Sequence, residues 1–278
     1  KYLCEYGADI HANNDNALRL AAKYGNLEIV KYLYENGADI HTDDDESALM
    51  AAVNYDNLEI VKYLCENGAD IHSVNDCSLT NASAFGHLEI VKYLLENNAN
   101  VHNNCALKYA VLNGHIDIVK IFLENNADIN SEILEYASAY GHIDIVKLLL
   151  ENGADIYLNN NRALNCAITN EKIEIVKLLL EHNADIHFNN DCALRYFSER
   201  GYLYFVQYLI QNGANINADN GGALKNASRI GHLEIVKYLL DNGADIHVDN
   251  DYVLRLAILY RHPKIVKYLL ENGANNYY

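Results

Sequence analysis

The 278-residue chain contains no tryptophan, one methionine and one proline, Pro263. With proline this scarce, neither polyproline segments nor a proline-rich linker can organise it. Basic residues are scarce as well: 21 Lys and Arg stand against 38 Asp and Glu, a net charge of −17. Nucleic-acid and anionic-membrane surfaces need a basic patch to displace counterions, so neither is expected as a partner. No run approaches the roughly 18 uninterrupted apolar residues of a membrane span. The six cysteines include no Cys-x-x-Cys pair. They read as reduced thiols of a cytoplasmic compartment rather than as a disulfide framework. The opening residues, Lys1 to Glu5, form neither a signal peptide nor a natural start.

Asparagine, in contrast, is about one residue in seven, far above ordinary usage. Asn, Ile, Lys and Tyr share A/T-rich codons, which assigns part of this bias to the genome. Disorder does not follow, because the asparagines recur at fixed places between periodic apolar segments. Leu27-Glu28-Ile29-Val30-Lys31-Tyr32-Leu33 returns almost unchanged along the chain, its Val reappearing at 61, 91, 119, 146, 176, 206, 236 and 266. A Leu twelve positions before each Val keeps step, from Leu18 and Leu49 to Leu254. The Leu-to-Val distance is constant, so all length variation lies in the connector before that Leu.

Each unit reads as two short helices. The first, as in Ala17-Leu18-Arg19-Leu20-Ala21-Ala22, carries small residues that permit close helix approach, and stops at Gly25 or its equivalents. Asp56, Glu171 and Arg261 replace that glycine in three units. The second places Leu27, Val30 and Leu33 on one face and ends at Asn36-Gly37-Ala38-Asp39. A single pair cannot bury its apolar stripe, so neighbours must stack into an all-α solenoid.

This pattern, complete from Gly231 to Ile246, resembles the ankyrin repeat. The resemblance covers the whole chain as a single array over 1–278: a partial repeat at 1–9, then nine helix pairs of about 30 residues each. The short period, the Asn richness and the Ile-His after Gly-Ala-Asp also resemble the ankyrin-repeat proteins of amoeba-infecting giant DNA viruses, which implies the host cytoplasm as the compartment. Thr-Pro-Leu-His of the family is absent, and the units are shorter than the family's. The missing residues fall where the family has its β-hairpin finger, so fingers with little or no strand are expected, shortest before Leu107 and Leu134. The chain begins inside a second-helix pattern, and its last helix keeps Ile265, Val266, Leu269 and Leu270 without a polar outer face. It is therefore expected to be cut from a longer array.

Twelve histidines invite a metal or acid–base reading. Six follow the Gly-Ala-Asp-type turn (His11, His41, His72, His102, His187, His247) and five open the second helix, leaving His182 outside either class. Equivalent positions on neighbouring helices lie about 8–10 Å apart, whereas zinc needs nitrogens at roughly 2.0–2.1 Å. The ladder belongs to the repeat architecture, and no metal site or cofactor is expected. The acidic run Asp43-Asp44-Asp45-Glu46 lacks the glycine and downstream glutamate of a calcium loop. The Asp of Gly-Ala-Asp is expected to accept from local backbone donors. No nucleophile–base constellation stands apart from the repeat, so no catalytic residue is assigned.

Variation is concentrated at two adjacent positions near the end of the first helix. They hold Tyr24, Tyr55, Phe85, Tyr140, Arg200, Arg229 and Tyr260; Tyr109, Tyr136 and Tyr196 lie one turn earlier on the same side. The family resemblance implies that these sites line a concave groove that grips partners, and Tyr and Arg are favoured hot-spot residues. The competing reading has the aromatics filling gaps left by short fingers. The unit at 192–210 deviates most, as either a hot spot or a distorted repeat. The resulting expectation is a monomeric, non-catalytic interaction scaffold whose acidic surface favours basic or amphipathic protein partners. Two alternatives are a substrate-recognition array of a host-directed ubiquitin-ligase adaptor, and the targeting part of an enzyme whose catalytic domain lies elsewhere.

Overall fold

The computed structural model describes residues 6, 8–41 and 47–275. The leading half-unit falls mostly outside them, as do Cys4 and the acidic run at 43–46. Eighteen helices and no strand occur among the described residues. They group into two compact units, Lys1–Asp155 and Ile156–Tyr278.

Unit 1 holds five helix pairs: α1 (Ala12–Lys23) with α2 (Leu27–Glu35), α3 (Ala48–Asn54) with α4 (Leu58–Glu66), α5 (Ser73–Phe85) with α6 (Leu88–Glu96), α7 (Asn104–Leu112) with α8 (Ile116–Glu124), and α9 (Ser131–Tyr140) with α10 (Ile143–Glu151). Unit 2 holds four: α11 (Leu158–Thr169) with α12 (Ile173–Glu181), α13 (Phe188–Arg200) with α14 (Leu203–Gln211), α15 (Ala218–Ile230) with α16 (Leu233–Asp241), and α17 (Val248–Leu259) with α18 (Pro263–Glu271). Within each unit, first helices pack on first helices and second helices on second helices. All nine marker leucines are buried, as are eight of the nine marker valines, Val266 being half-buried.

Two side-chain ladders recur along the chain, the first of which ties neighbouring pairs together. Nε2 of His115 and His142 donates to the carbonyls of Ala84 and Leu112 at 3.1 and 3.0 Å, one repeat back. His232 and His262 do the same to Glu199 and Arg229, both at 2.9 Å. Asn57 stands in for the histidine in α4's entry turn, donating to Ala22 O at 2.7 Å. The second ladder closes the second helices: the Asn after the last turn donates to the carbonyl four residues earlier, as Asn36 does to Tyr32 O at 2.7 Å. His182 occupies this same place, its Nδ1 lying 2.9 Å from Leu178 O. It therefore belongs to the repeat after all, as a helix-end cap.

The glycine that ends a first helix adopts the left-handed conformation, and the histidine ring of the next repeat lies against it. Gly201 has φ +84°, and a Cβ there would sit 2.6 Å from His232 Cε1. Gly213, ending a second helix at φ +96°, has nothing within 4 Å of such a Cβ. Both Gly→Ala variants are expected to lose about 1–2 kcal/mol to backbone strain. Gly201→Ala loses about 1 kcal/mol more, because the ring and its hydrogen bond are displaced. Urea melts followed by circular dichroism measure the difference. The three replacements hold the same conformation, Asp56, Glu171 and Arg261 having φ of 59°, 56° and 61°.

Among the described residues the fingers are short and strandless, and those before Leu107 and Leu134 are plain connectors. Others contain a feature that the sequence reading missed. Three consecutive residues in each of α1, α13, α15 and α17 are left-handed: Asn13-Asn14-Asp15, Asn189-Asn190-Asp191, Asp219-Asn220-Gly221 and Asp249-Asn250-Asp251. Among the described residues, the twenty non-glycine positions at positive φ comprise eleven Asn and seven Asp. These are the side chains that tolerate this region at least cost. Much of the asparagine excess therefore has a backbone cause beside any codon bias. A signal was present: in these four helices the marker Leu is followed by Arg19, Arg195, Lys225 or Arg255. Arg195 donates to the turn carbonyls of Asn189 and Asn190 at 2.7 and 3.1 Å, and Arg255 to Asp249 O at 2.7 Å.

The last residue of the turn is buried and doubly used. His11, His72, His187 and His247 donate from Nδ1 to Asp15, Asp76, Asp191 and Asp251 at 2.8–3.1 Å. In unit 2, Asp191 also accepts the backbone N–H of Asn215 at 2.8 Å, and Asp251 that of Asn275 at 3.1 Å. The Asp of Gly-Ala-Asp accepts the N–H two residues on, as Asp70 does from His72 at 2.8 Å. Cys65, Cys105 and Cys192 are free thiols, and burial pushes Cys65 up to about 11.

Candidate protein-binding surface

The ends of the first helices bring the variable positions of unit 1 to solvent. Because each first helix packs on the next, equivalent residues become neighbours in space. Tyr24, Tyr55, Phe85 and Tyr140 stand at one such position and are 55–69% exposed. Rings this open do not fill gaps beneath shortened fingers. Asn113 holds the intervening position, donating to Ala84 O at 3.0 Å. Tyr109 is exposed one turn earlier, whereas Tyr136 is half-buried and donates its hydroxyl to Glu132 at 3.0 Å.

Lys23 lies between the first two rings, with Nζ 4.8 Å from the Tyr55 centroid and 5.5 Å from that of Tyr24. The Tyr55 hydroxyl, and after it the Tyr24 side chain, push the Lys23 pKa upward.

Charge in unit 1 is divided by helix. Every second helix carries an acid in its first turn and another at its end, as Glu28 and Glu35 do in α2. The lysine of each pairs with the first-turn acid, as in Lys31–Glu28 at 3.1 Å and Lys92–Glu89 at 2.6 Å. The first helices of this unit hold four acids, of which Asp15, Asp76 and Glu135 are buried. The fourth, Glu132, is engaged by Tyr136 and by Lys108 at 3.9 Å. The first-helix face is therefore aromatic, and the exposed acids beside it are Glu132 and Asp56, the latter 3.5 Å from His87 Nδ1.

In unit 2 the corresponding residues are largely spent on one another. Arg200 pairs with Glu171 at 3.4 Å, and Arg229 with Glu199 at 2.9 Å. Tyr202 donates to Glu171 at 2.6 Å, and Tyr196, half-buried, to Thr169 O at 3.2 Å. Phe197 and Phe205 are fully buried, with centroids 4.6 Å apart. The deviant unit is a repacked repeat in which Phe197 and Phe205 face inward and Tyr196 and Tyr202 are half-buried, while Tyr204 stays exposed. Leu259 and Tyr260 are exposed at the last first helix. An apolar groove of about 660 Å³ runs between α17 and α18, lined by Ala257, Ile258, Pro263, Val266 and Leu270. Its equivalent on α15 and α16 is covered by the following pair, so it has the shape of a stacking face.

The repeat, its helix pairing and its register are matched by a family model described as "Ankyrin repeats (3 copies)", over residues 1–75, 49–133, 134–220 and 194–277. The chain belongs to the ankyrin-repeat family. Among solved ankyrin structures, the one titled "Crystal structure of human ASB11 ankyrin repeat domain" is 28% identical, with a TM-score of 0.62 over 71% of this chain and 98% of that one. No curated protein matches the chain. Ankyrin repeats are generic protein–protein interaction modules, and the fold is typically non-catalytic. No helix among the described residues is long and apolar enough to cross a membrane.

Proposed function

We propose that this ankyrin array is a non-catalytic scaffold that binds a partner protein along the first-helix face of unit 1. The observation that carries this reading is the exposed aromatic row of Tyr24, Tyr55, Phe85 and Tyr140. It stands at positions that vary while the rest of the unit is nearly constant. Exposed rings cost little conformational entropy to immobilise and bring large contact area. Exposed apolar rings clustered on one face, as Tyr24, Tyr55 and Phe85 are on successive repeats, mark interaction sites.

The test compares the wild-type chain with a Tyr24→Ala, Tyr55→Ala, Tyr140→Ala variant as baits in lysate, with captured proteins identified by mass spectrometry. Amoebal lysate is the first choice, because the Asn-rich composition resembles that of ankyrin-repeat proteins of amoebal viruses. A partner held by wild type and weakened at least tenfold in the variant is the expected result. Because the three rings are exposed, the variant should keep its helical circular-dichroism spectrum. A partner bound equally by both folded proteins would overturn the assignment of this face.

A further inference from the structure

The net charge of −17 directs attention to basic partners, yet the row of rings does not share that charge. The Tyr24 and Tyr55 rings hold a cation, Lys23, between them, and the nearby carboxylate of Asp56 lies 3.5 Å from His87 Nδ1. Among the described lysines of unit 1, Lys31, Lys62, Lys92, Lys120 and Lys147 each pair with an acid on their own helix, and Lys108 reaches Glu132. Among the described residues no carboxylate lies within ion-pair distance of Lys23; two tyrosine rings hold it instead. A half-exposed ammonium held beside apolar rings offers a partner both an aromatic bed and a charge to meet.

The spacing of the row adds a second constraint. Packed helices lie about 8–10 Å apart, so successive rings are separated by roughly that distance. An α-helix laid across them advances about 1.5 Å per residue, and two of its turns cover roughly 10.5 Å. Residues seven apart on one helix face would therefore meet consecutive rings. An extended chain, at about 3.3 Å per residue, reaches the next ring after three residues, when its side chain points to the opposite face.

We propose that the first-helix face of unit 1 takes an amphipathic helix of a partner protein, with apolar side chains spaced by seven residues against Tyr24, Tyr55 and Phe85 and an acidic side chain paired with Lys23. This rests on the binding face proposed above and specifies its occupant. The partner segment is acidic at that point although the scaffold as a whole is acidic, so local charge opposes bulk charge.

A displayed library of random 20-residue peptides, selected on the intact chain, tests both levels. The enriched peptides are expected to carry aliphatic or aromatic residues seven apart with a net negative charge. One such peptide, synthesised and labelled, is then titrated by fluorescence anisotropy. Lys23→Glu should weaken it at least tenfold, while Lys23→Arg keeps affinity within threefold. Tyr24→Ala with Tyr55→Ala should weaken it at least tenfold. Enrichment of basic peptides, or an unchanged affinity in Lys23→Glu with loss in the tyrosine variant, overturns the acidic-helix inference and leaves the face standing. Affinity unchanged by the tyrosine variant, or an empty selection, overturns the face itself.

Discussion

Phe197→Ala is expected to destabilise unit 2 by about 3–5 kcal/mol, the usual cost of emptying a buried aromatic site. The interest of the substitution is that it restores the residue found at this position in the other eight repeats, Ala21, Ala52 and Ala82 among them. In those repeats a β-branched Ile sits opposite and a His or Asn enters the second helix in most cases. Here Phe205 replaces the Ile and Tyr202 the His. Phe197 meets Phe205 edge-to-face at 4.6 Å, Tyr196 at 5.4 Å and Tyr202 at 5.7 Å. Alanine alone would leave these rings around a void they cannot fill by small shifts. Residues in direct contact are not additive. Phe197→Ala with Tyr202→His and Phe205→Ile should therefore recover most of the loss, since all three sites then match the neighbouring repeats. Guanidinium melts of the single and triple variants measure this. Equal losses would mean that the aromatic cluster is not a cooperative replacement.

Asp191→Ala should cost about 2 kcal/mol, since it removes the buried acceptor of two part-buried hydrogen bonds and forces alanine into a left-handed conformation. The donors are His187 Nδ1 and the N–H of Asn215, at 3.1 and 2.8 Å, and the carboxylate is 3% exposed with φ +54°. Asp191→Asn keeps an acceptor and the backbone tolerance, and should lose less than half as much.

The equivalent Asp251 adds a pH dependence. Burial by itself raises this carboxyl, but hydrogen bonds from Asn275 N–H, His247 and the Asn275 side chain outweigh it and hold the pKa below its ordinary value. A lowered folded pKa gives stability that is fully present above the unfolded value of about 3.9 and is lost as pH falls through the folded value. Unit 2 should accordingly weaken below about pH 4, and Asp251→Asn should flatten that part of the profile. Thermal melts between pH 2.5 and 7 compare the two slopes. An unchanged slope would assign the acid transition to other carboxyls.

Much of this was readable from residues a few positions apart. Leu18, Val30 and their equivalents announce the helix pair and its register, and Gly25 and Gly37 announce the stops. The Asn-Asn-Asp turns were harder, because these residues signal any irregular connector. The Arg that follows the marker Leu in α1, α13 and α17 accompanies such a turn, reaching its carbonyls five or six residues back. A Lys there does not mark one, since Lys108 follows Leu107 without it and Lys225 pairs with Asp249 of the next repeat. The candidate surface was legible only as a set of variable positions. Tyr24 and Tyr196 belong to the same set, yet one ring is open to solvent and the other is tied to Thr169, 27 residues earlier.

The chain's own sequence determined the all-α repeat, its stacking register and its family, since helix periodicity and left-handed glycines act over one or two turns. Only the tertiary structure decided which aromatics face outward and where the negative charge collects. Those outcomes depend on what the next repeat, 24 to 33 residues away, lays against each side chain. A carboxylate counted in the net charge is silent on the surface once it is buried in a turn, as Asp15 and Asp76 are.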